Sequence, residues 1–132
     1  MEFEKHASGV RTLPELEAWS RLRSKAVGRL AVAGPDIFPV NYLVSDHHEI
    51  FIRTSDGTKV ATMREHPRIA FETDDLGPHP WSVVVKGTAD VIDDPDEIAT
   101  LGELAFWSWA PRDTDVIVRI NAVEVTGRQF QH

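Results

Sequence analysis

The sequence predicts a mainly β protein: a small closed or partly closed antiparallel barrel with short helices at its connections. Three observations lead there. About six short segments run apolar or alternate in the manner of strands. Gly and Pro stand at the joints between them, as at Gly34-Pro35 and in the stretch from Asp74 to Pro80. Gly87 interrupts the longest segment, where a barrel needs a bulge or bend to turn a corner.

Residues 1–10 read as a loose N-terminal arm. Thr12-Leu13-Pro14-Glu15 then reads as a helix start, with Thr12 as cap and Pro14 in the first turn. Leu13, Leu16, Trp19 and Leu22 recur every third residue, which predicts one buried helical face ending at Gly28. Arg29 to Ala33 is the first strand and Phe38 to Ser45 the second, with Pro39 marking an edge or strand end. Asp46-His47-His48 turns the chain into a third strand, Glu49 to Thr54, giving a hairpin. A short helix from Thr58 to Glu65 is stopped by His66-Pro67. Arg68 to Thr73 and Trp81 to Asp93 follow as strands. Asp94-Pro95-Asp96-Glu97 opens another helix, with Ile98, Leu101 and Leu104 on its buried side. Asp115 to Thr126 is the last strand, alternating Val116, Val118 and Ile120 with polar or small residues.

Residues 1–132 suffice for one such domain. A formal net charge of −7 argues against nucleic acid or an anionic membrane surface as a partner. Cysteine is absent, which excludes disulfides, thiolate metal sites and cysteine nucleophiles. No signal-like or bilayer-length apolar run is present, so a cytoplasmic protein is expected. His47 and His48 have no third ligand at a useful spacing, and no metal site is expected. The Gly-rich dinucleotide fingerprint is absent too.

One stretch departs from this acidic background. Between the third strand and the following helix stand Thr54, Ser55, Asp56, Gly57, Thr58 and Lys59. Hydroxyls and turn N–H groups donate hydrogen bonds, a helix start carries partial positive charge, and Lys59 adds a full one. Together they suit the phosphate of a small molecule. The plainer reading of the same residues is a strand-turn-helix joint capped by Thr58. Asn41 inside an apolar strand is unusual as well: either a satisfied buried amide or a donor to a ligand.

Several segments resemble the pyridoxamine 5′-phosphate oxidase-like, FMN-binding split-barrel family, particularly its short actinobacterial-type members. They are V-G-R-L-A (Val27 to Ala31), P-V-N-Y (Pro39 to Tyr42), F-I-R-T-S-D-G-T-K (Phe51 to Lys59), H-P-R-I-A-F-E (His66 to Glu72), the strand Trp81 to Val85, V-K-G-T-A (Val85 to Ala89), W-A-P (Trp109 to Pro111) and V-T-G-R (Val125 to Arg128). They occur in family order along nearly the whole chain. The resemblance implies a homodimer of split barrels with FMN at the subunit interface. It implies that Val40, Asn41 and Tyr42 lie along the isoalloxazine ring, that Arg53, Thr54 and Ser55 hold the ring edge and phosphate, and that Thr58 and Lys59 bind the phosphate. Trp81 and Ser82 correspond to residues that reach the flavin from a neighbouring strand, sometimes across the dimer.

The sequence also departs from the family pattern. Ser82 stands where the oxidases usually carry glutamine, and Thr58 replaces one of two basic residues. The C-terminal segment that recognises the pyridoxal substrate has no counterpart before the closing R-Q-F-Q-H. An FMN-dependent oxidoreductase of small molecules is therefore the leading expectation, with no residue nominated as acid or base. One alternative keeps the fold and exchanges FMN for FAD or a deazaflavin, a longer tail calling for extra cations such as Arg53, Lys59, Arg64 and Arg68. Another is a flavin-binding or sequestering protein without turnover. Trp107 and Trp109 are read as core or interface packing, or as walls of the ligand pocket.

Overall fold

The computed structural model describes residues 9–55, 57–104 and 115–130. Seven strands and three helices alternate in the order β1 (Val10–Leu13), α1 (Glu15–Arg23), β2 (Val27–Val32), β3 (Asp36–Val44), β4 (Glu49–Ser55), α2 (Thr58–Glu65), β5 (Arg68–Asp75), β6 (Trp81–Ile92), α3 (Pro95–Leu104) and β7 (Asp115–Phe130). All strand pairs are antiparallel, in the order β1-β7-β4-β3-β2-β5-β6. A further pairing of β6 with β7 closes β2 to β7 into a six-stranded barrel. The mainly β split barrel expected from the sequence is the fold observed. Asp56, Trp107, Trp109, the W-A-P segment and the side chain of Leu104 lie outside the described residues.

The alternation of each strand fills the interior. Leu30, Tyr42, Ile50, Ile52, Phe71, Val83, Val85, Val118 and Ile120 point inward and are almost fully buried. Trp19 and Leu22 of α1, and Val60 and Met63 of α2, join the same core. Side chains occupy the inside of a barrel this narrow, which leaves no room there for a ligand. The apolar run Ile50-Phe51-Ile52 has a separate explanation. Its middle member points outward, where Phe51, Ile92 and Ile117 form a second cluster beneath Ile98 and Leu101 of α3. The same helix is tied down by Arg119, whose guanidinium donates to Glu97 at 2.6 Å and to Asp90 at 2.8 Å.

The N-terminal region differs from expectation. Val10–Leu13 is a strand on β7, pairing Thr12 with Arg128, so the arm cannot extend through residue 10 and Thr12 cannot cap a helix. Pro14 takes the cap position and no side chain caps α1. The buried face of α1 is Ala18, Trp19 and Leu22, whereas Leu16 is 74% exposed. Spacing by threes drifts around a helix, and Leu16 lies roughly 110° from the centre of that face. Gly28 does not stop the helix, which ends at Ser24; it belongs to β2. A Cβ at Gly28 would stand 2.3 Å from Phe71 Cζ and 2.8 Å from the Glu72 carbonyl oxygen, so the glycine lets β5 approach.

Candidate functional site

The ladder between β3 and β4 pairs Tyr42 with Ile52, Leu43 with Phe51 and Val44 with Ile50, and there it stops. Continued, the register would join Asn41 to Arg53, Val40 to Thr54 and Pro39 to Ser55. Pro39 has no N–H to donate and its ring resists a central-strand position, so the strands part where it approaches. Beyond the opening each strand keeps its other neighbour: β3 pairs with β2 through Asn41, and β4 with β7 through Ser55. The barrel is thus split between Pro39–Asn41 and Arg53–Ser55, and α2 starts two residues past the end of β4.

Three features of that start suit an anion. Gly57 is extended (φ 164°, ψ −159°) and its carbonyl accepts the first helical bond, from Ala61 N–H at 3.0 Å. Among the described residues no side chain caps α2, which leaves its first-turn N–H groups without an intrahelical or side-chain acceptor there. Thr58 is the first helical residue rather than the cap, so the joint is not the Thr58-capped turn that a purely local reading allows. A Cβ built at Gly57 meets nothing within 4 Å, so open space lies beside the helix start.

Lys59 is the third feature. Its ammonium lies 4.8 Å from the ring centre of Phe38 on β3, which brings the start of α2 against the open edge of that strand. The other described cations mostly have anionic partners: Arg11 and Arg21 with Glu17, Lys25 with Asp75, Arg64 with Asp93, Arg119 with Asp90 and Glu97. Lys59 has none among the described residues. Partial burial lowers its pKa from the ordinary lysine value. A bound anion would offset that cost of desolvation.

The expected contact residues divide into groups. Val40 and Tyr42 point into the barrel and are buried, while Asn41 between them is exposed on the outer surface. Asn41 is therefore not a satisfied core amide. The Tyr42 hydroxyl donates to the Leu22 carbonyl at 2.5 Å and its ring packs edge-on to Phe71, with burial raising its pKa. The opening exposes the backbone of Val40 but not that of Tyr42, which is laddered to Ile52 and donates its N–H to the Ala26 carbonyl at 3.0 Å. Arg53, Thr54 and Ser55 form the facing edge, with Thr58 and Lys59 at its end. Trp81 and Ser82 stand apart: β2 and β5 lie between β3 and β6 on one side, and on the other β7 lies between β4 and β6 and meets Ser55 and Trp81 at its opposite ends, Asp115 and Gln129. Trp81 is buried and the Arg21 guanidinium lies 5.8 Å from its ring centre. Ser82 lies on the outer face, opposite Asp74 and Arg128.

Sequence reasoning missed two elements of this region. One is Phe38, the platform for Lys59. The other is a charge cluster outside β2 and β5, where Arg29 donates through Nε to Glu72 at 2.8 Å and pairs with Asp74 at 2.9 Å. Hydrogen bonding to Glu72 holds Arg29 charged. Glu72 itself is pushed up, first by burial and then by its hydrogen bond with Asp74, because one guanidinium serves two carboxylates. The period-two spacing in F-E-T-D could have signalled a shared face; the pairing with Arg29 required the register. Exposed Val27 and Ile37 lie on the same outer face.

Comparison with known proteins bears on this arrangement. The pyridoxamine 5′-phosphate oxidase family model matches residues 14–129. The chain belongs to that family. Among family-like structures, one from Corynebacterium glutamicum, provisionally described as a pyridoxamine 5′-phosphate oxidase, is 39% identical, covers 93% of this chain and 99% of its own, and superposes with a TM-score of 0.80. A FAD-binding protein from Mesorhizobium loti is 31% identical over 93% of this chain and 98% of its own, with a TM-score of 0.74. A FAD-binding protein from Mycobacterium smegmatis is 29% identical over 92% and 99%, with a TM-score of 0.76. The uncharacterized protein Rv0080 of Mycobacterium tuberculosis is 36% identical over 122 residues, 84% of this chain and 79% of its own.

Proposed function

We propose that the chain is a flavin-dependent oxidoreductase that holds its cofactor in the opening between β3 and β4. The observation that carries the reading is the parting of the two strands after Tyr42 and Ile52, with a helix start and a partly desolvated Lys59 at its end that have no cap and no anionic partner among the described residues. In this reading the α2 N–H groups and the Thr58 hydroxyl donate to the phosphate, and Lys59 neutralises part of its charge. The unladdered backbone of Pro39 to Asn41 and the Asn41 amide serve the ring, with Arg53, Thr54 and Ser55 along the opposite edge. A bound flavin supplies the redox chemistry, taking up and passing on electrons at its ring. The residues bind, orient and polarise it.

Trp81 and Ser82 fit this reading from a second copy of the chain: within one barrel β2 and β5 separate them from the opening on one side, and on the other β7 intervenes, with Trp81 opposite Gln129 while Ser55 is opposite Asp115. The assembly is accordingly a homodimer through the outer face of β2, β3 and β5, where Val27 and Ile37 are exposed around the Arg29–Glu72–Asp74 cluster. FMN satisfies the one phosphate site at Lys59. FAD is a second reading, favoured by the two FAD-binding proteins of similar structure. A deazaflavin finds less support, because Arg64 is already engaged by Asp93.

The test is a titration of apo-protein with FMN, FAD and deazaflavin, followed by flavin fluorescence. Saturation at one flavin per chain is expected. Lys59→Ala should weaken binding by about 1.5–3 kcal/mol, the value of a charge-assisted contact. Equal affinity in a folded Lys59→Ala protein would overturn the phosphate assignment, and no flavin binding at all would overturn the reading. Reduction of the bound flavin by NAD(P)H or a reduced deazaflavin separates an enzyme from a sequestering protein.

A further inference from the structure

A second group of unneutralised cations lies outside the opening. A groove of about 460 Å³ crosses the outer surface from the end of β2, over the start of β5, to the bulge where β6 meets β7. Its floor is small and apolar (Ala31, Ala70 and Gly87), and its polar groups are Arg68, Lys86, Thr88 and Glu124. Ala31 is paired with Ile37 and Ala70, so the groove borders the face proposed for the dimer, with Lys86 and Thr88 on β6 beyond it. Register places Arg68 opposite Thr88 and Ala70 opposite Lys86, so the two cations are diagonal neighbours on adjacent strands, roughly 7–8 Å apart at the backbone.

Neither cation has a hydrogen bond or ion pair among the described residues. This holds even for Lys86, whose cross-strand neighbour is Glu124. Like charges side by side on a sheet repel and are destabilising. With 21 acidic residues against 14 basic ones, carboxylate partners are plentiful in this chain, and its other cations largely have them. An oxyanion between Arg68 and Lys86 converts the repulsion into two charge-assisted contacts, with the Thr88 hydroxyl as a third donor.

The groove owes its shape to the backbone. Between Lys86↔Glu124 and Gly87↔Ala122 the register skips Val123, which bulges β7 and leaves that residue without a partner on β6. A Cβ at Gly87 would stand 2.0 Å from the Asn121 carbonyl oxygen, so the close approach that forms the bulge requires glycine.

We propose that the Arg68–Lys86 groove is an oxyanion-binding site of this protein, separate from the Thr54–Lys59 opening, for a phosphate or carboxylate carried on a compact body. The proposal stands whether or not the opening takes a flavin. The source is a free anionic metabolite: the two phosphates of a dinucleotide share one bridging oxygen and cannot reach from Lys59 to Arg68 beyond the far end of α2.

Backbone amide NMR in phosphate-free buffer tests it, with inorganic phosphate and then pyrophosphate as probes. Saturable shifts at Arg68, Gly87 and Thr88 are expected. Both side chains are exposed, so Arg68→Gln/Lys86→Gln should fold, and it should bind the probe at this location about tenfold or more weakly. Lys59→Ala should leave these shifts in place. Shifts confined to Thr58 and Lys59, or undiminished in the double variant, overturn the proposal. Pyrophosphate shifts that persist under saturating FAD identify a separate ligand.

Discussion

Tyr42 and Lys59 show how a side chain's surroundings decide its role. Both lie in family motifs, and both were expected at the flavin. Tyr42 is enclosed, its hydroxyl bonded to the Leu22 carbonyl, so its aromatic ring serves the core. Lys59 is only partly covered and has no carboxylate partner among the described residues, which leaves its charge open to a ligand. Glu72 gives a prediction at this scale. Its pKa is raised above the ordinary 4.5, so the folded chain keeps a proton there that the unfolded chain has already lost. That contribution to stability is complete below 4.5 and disappears as pH rises through the folded value. Glu72→Gln removes the titration. Urea unfolding across about pH 4 to 8 should show the wild type losing stability relative to the variant as pH rises. A constant difference between the two would mean that Asp74 and Arg29 leave Glu72 unperturbed.

Among the elements, the strands were the most legible. Their alternation and their Gly and Pro boundaries gave β2 to β7 nearly in place. The helical reading failed at α1, because residues 10–13 bond to β7 and a single backbone cannot also begin a helix there. That partner lies more than a hundred residues away, and no local pattern signals it. Gly87 was legible as a bend, and its steric necessity became visible only with Asn121 against it. Gly87→Ala must displace backbone rather than a flexible side-chain tip. Overpacking of this kind costs about 1–3 kcal/mol or more, readable as a lower urea midpoint. A midpoint within error of wild type would mean that the β6–β7 ladder tolerates local spreading.

For the whole molecule, the decisive feature is the split. Pro39 was legible as an edge signal and the Thr54-to-Lys59 stretch as an anion knot, but their convergence across one gap follows from barrel closure. The strand order puts β2 and β5 between that gap and the strand of Trp81 and Ser82 on one side, and nearly the whole length of β7 on the other, which is why the proposed site takes them from a second copy. Sedimentation velocity should give a dimer for the wild type. Ile37→Asp places a charge on an exposed residue of the proposed interface, and it should shift the mass toward the monomer while the circular dichroism of the fold persists. A wild-type monomer, or a variant dimer of equal strength, would move the interface elsewhere.

The sequence by itself determined six of the seven described strands, their outward and inward faces, and the residue types able to hold a phosphate. These depend on local periodicity and on the chemistry of single side chains. The tertiary structure alone decided which edges part, which cations remain unpaired, and that Arg29 meets Glu72 and Asp74 while Arg68 stands beside Lys86. Those facts depend on strand register and closure, which are set by contacts between residues distant in the chain.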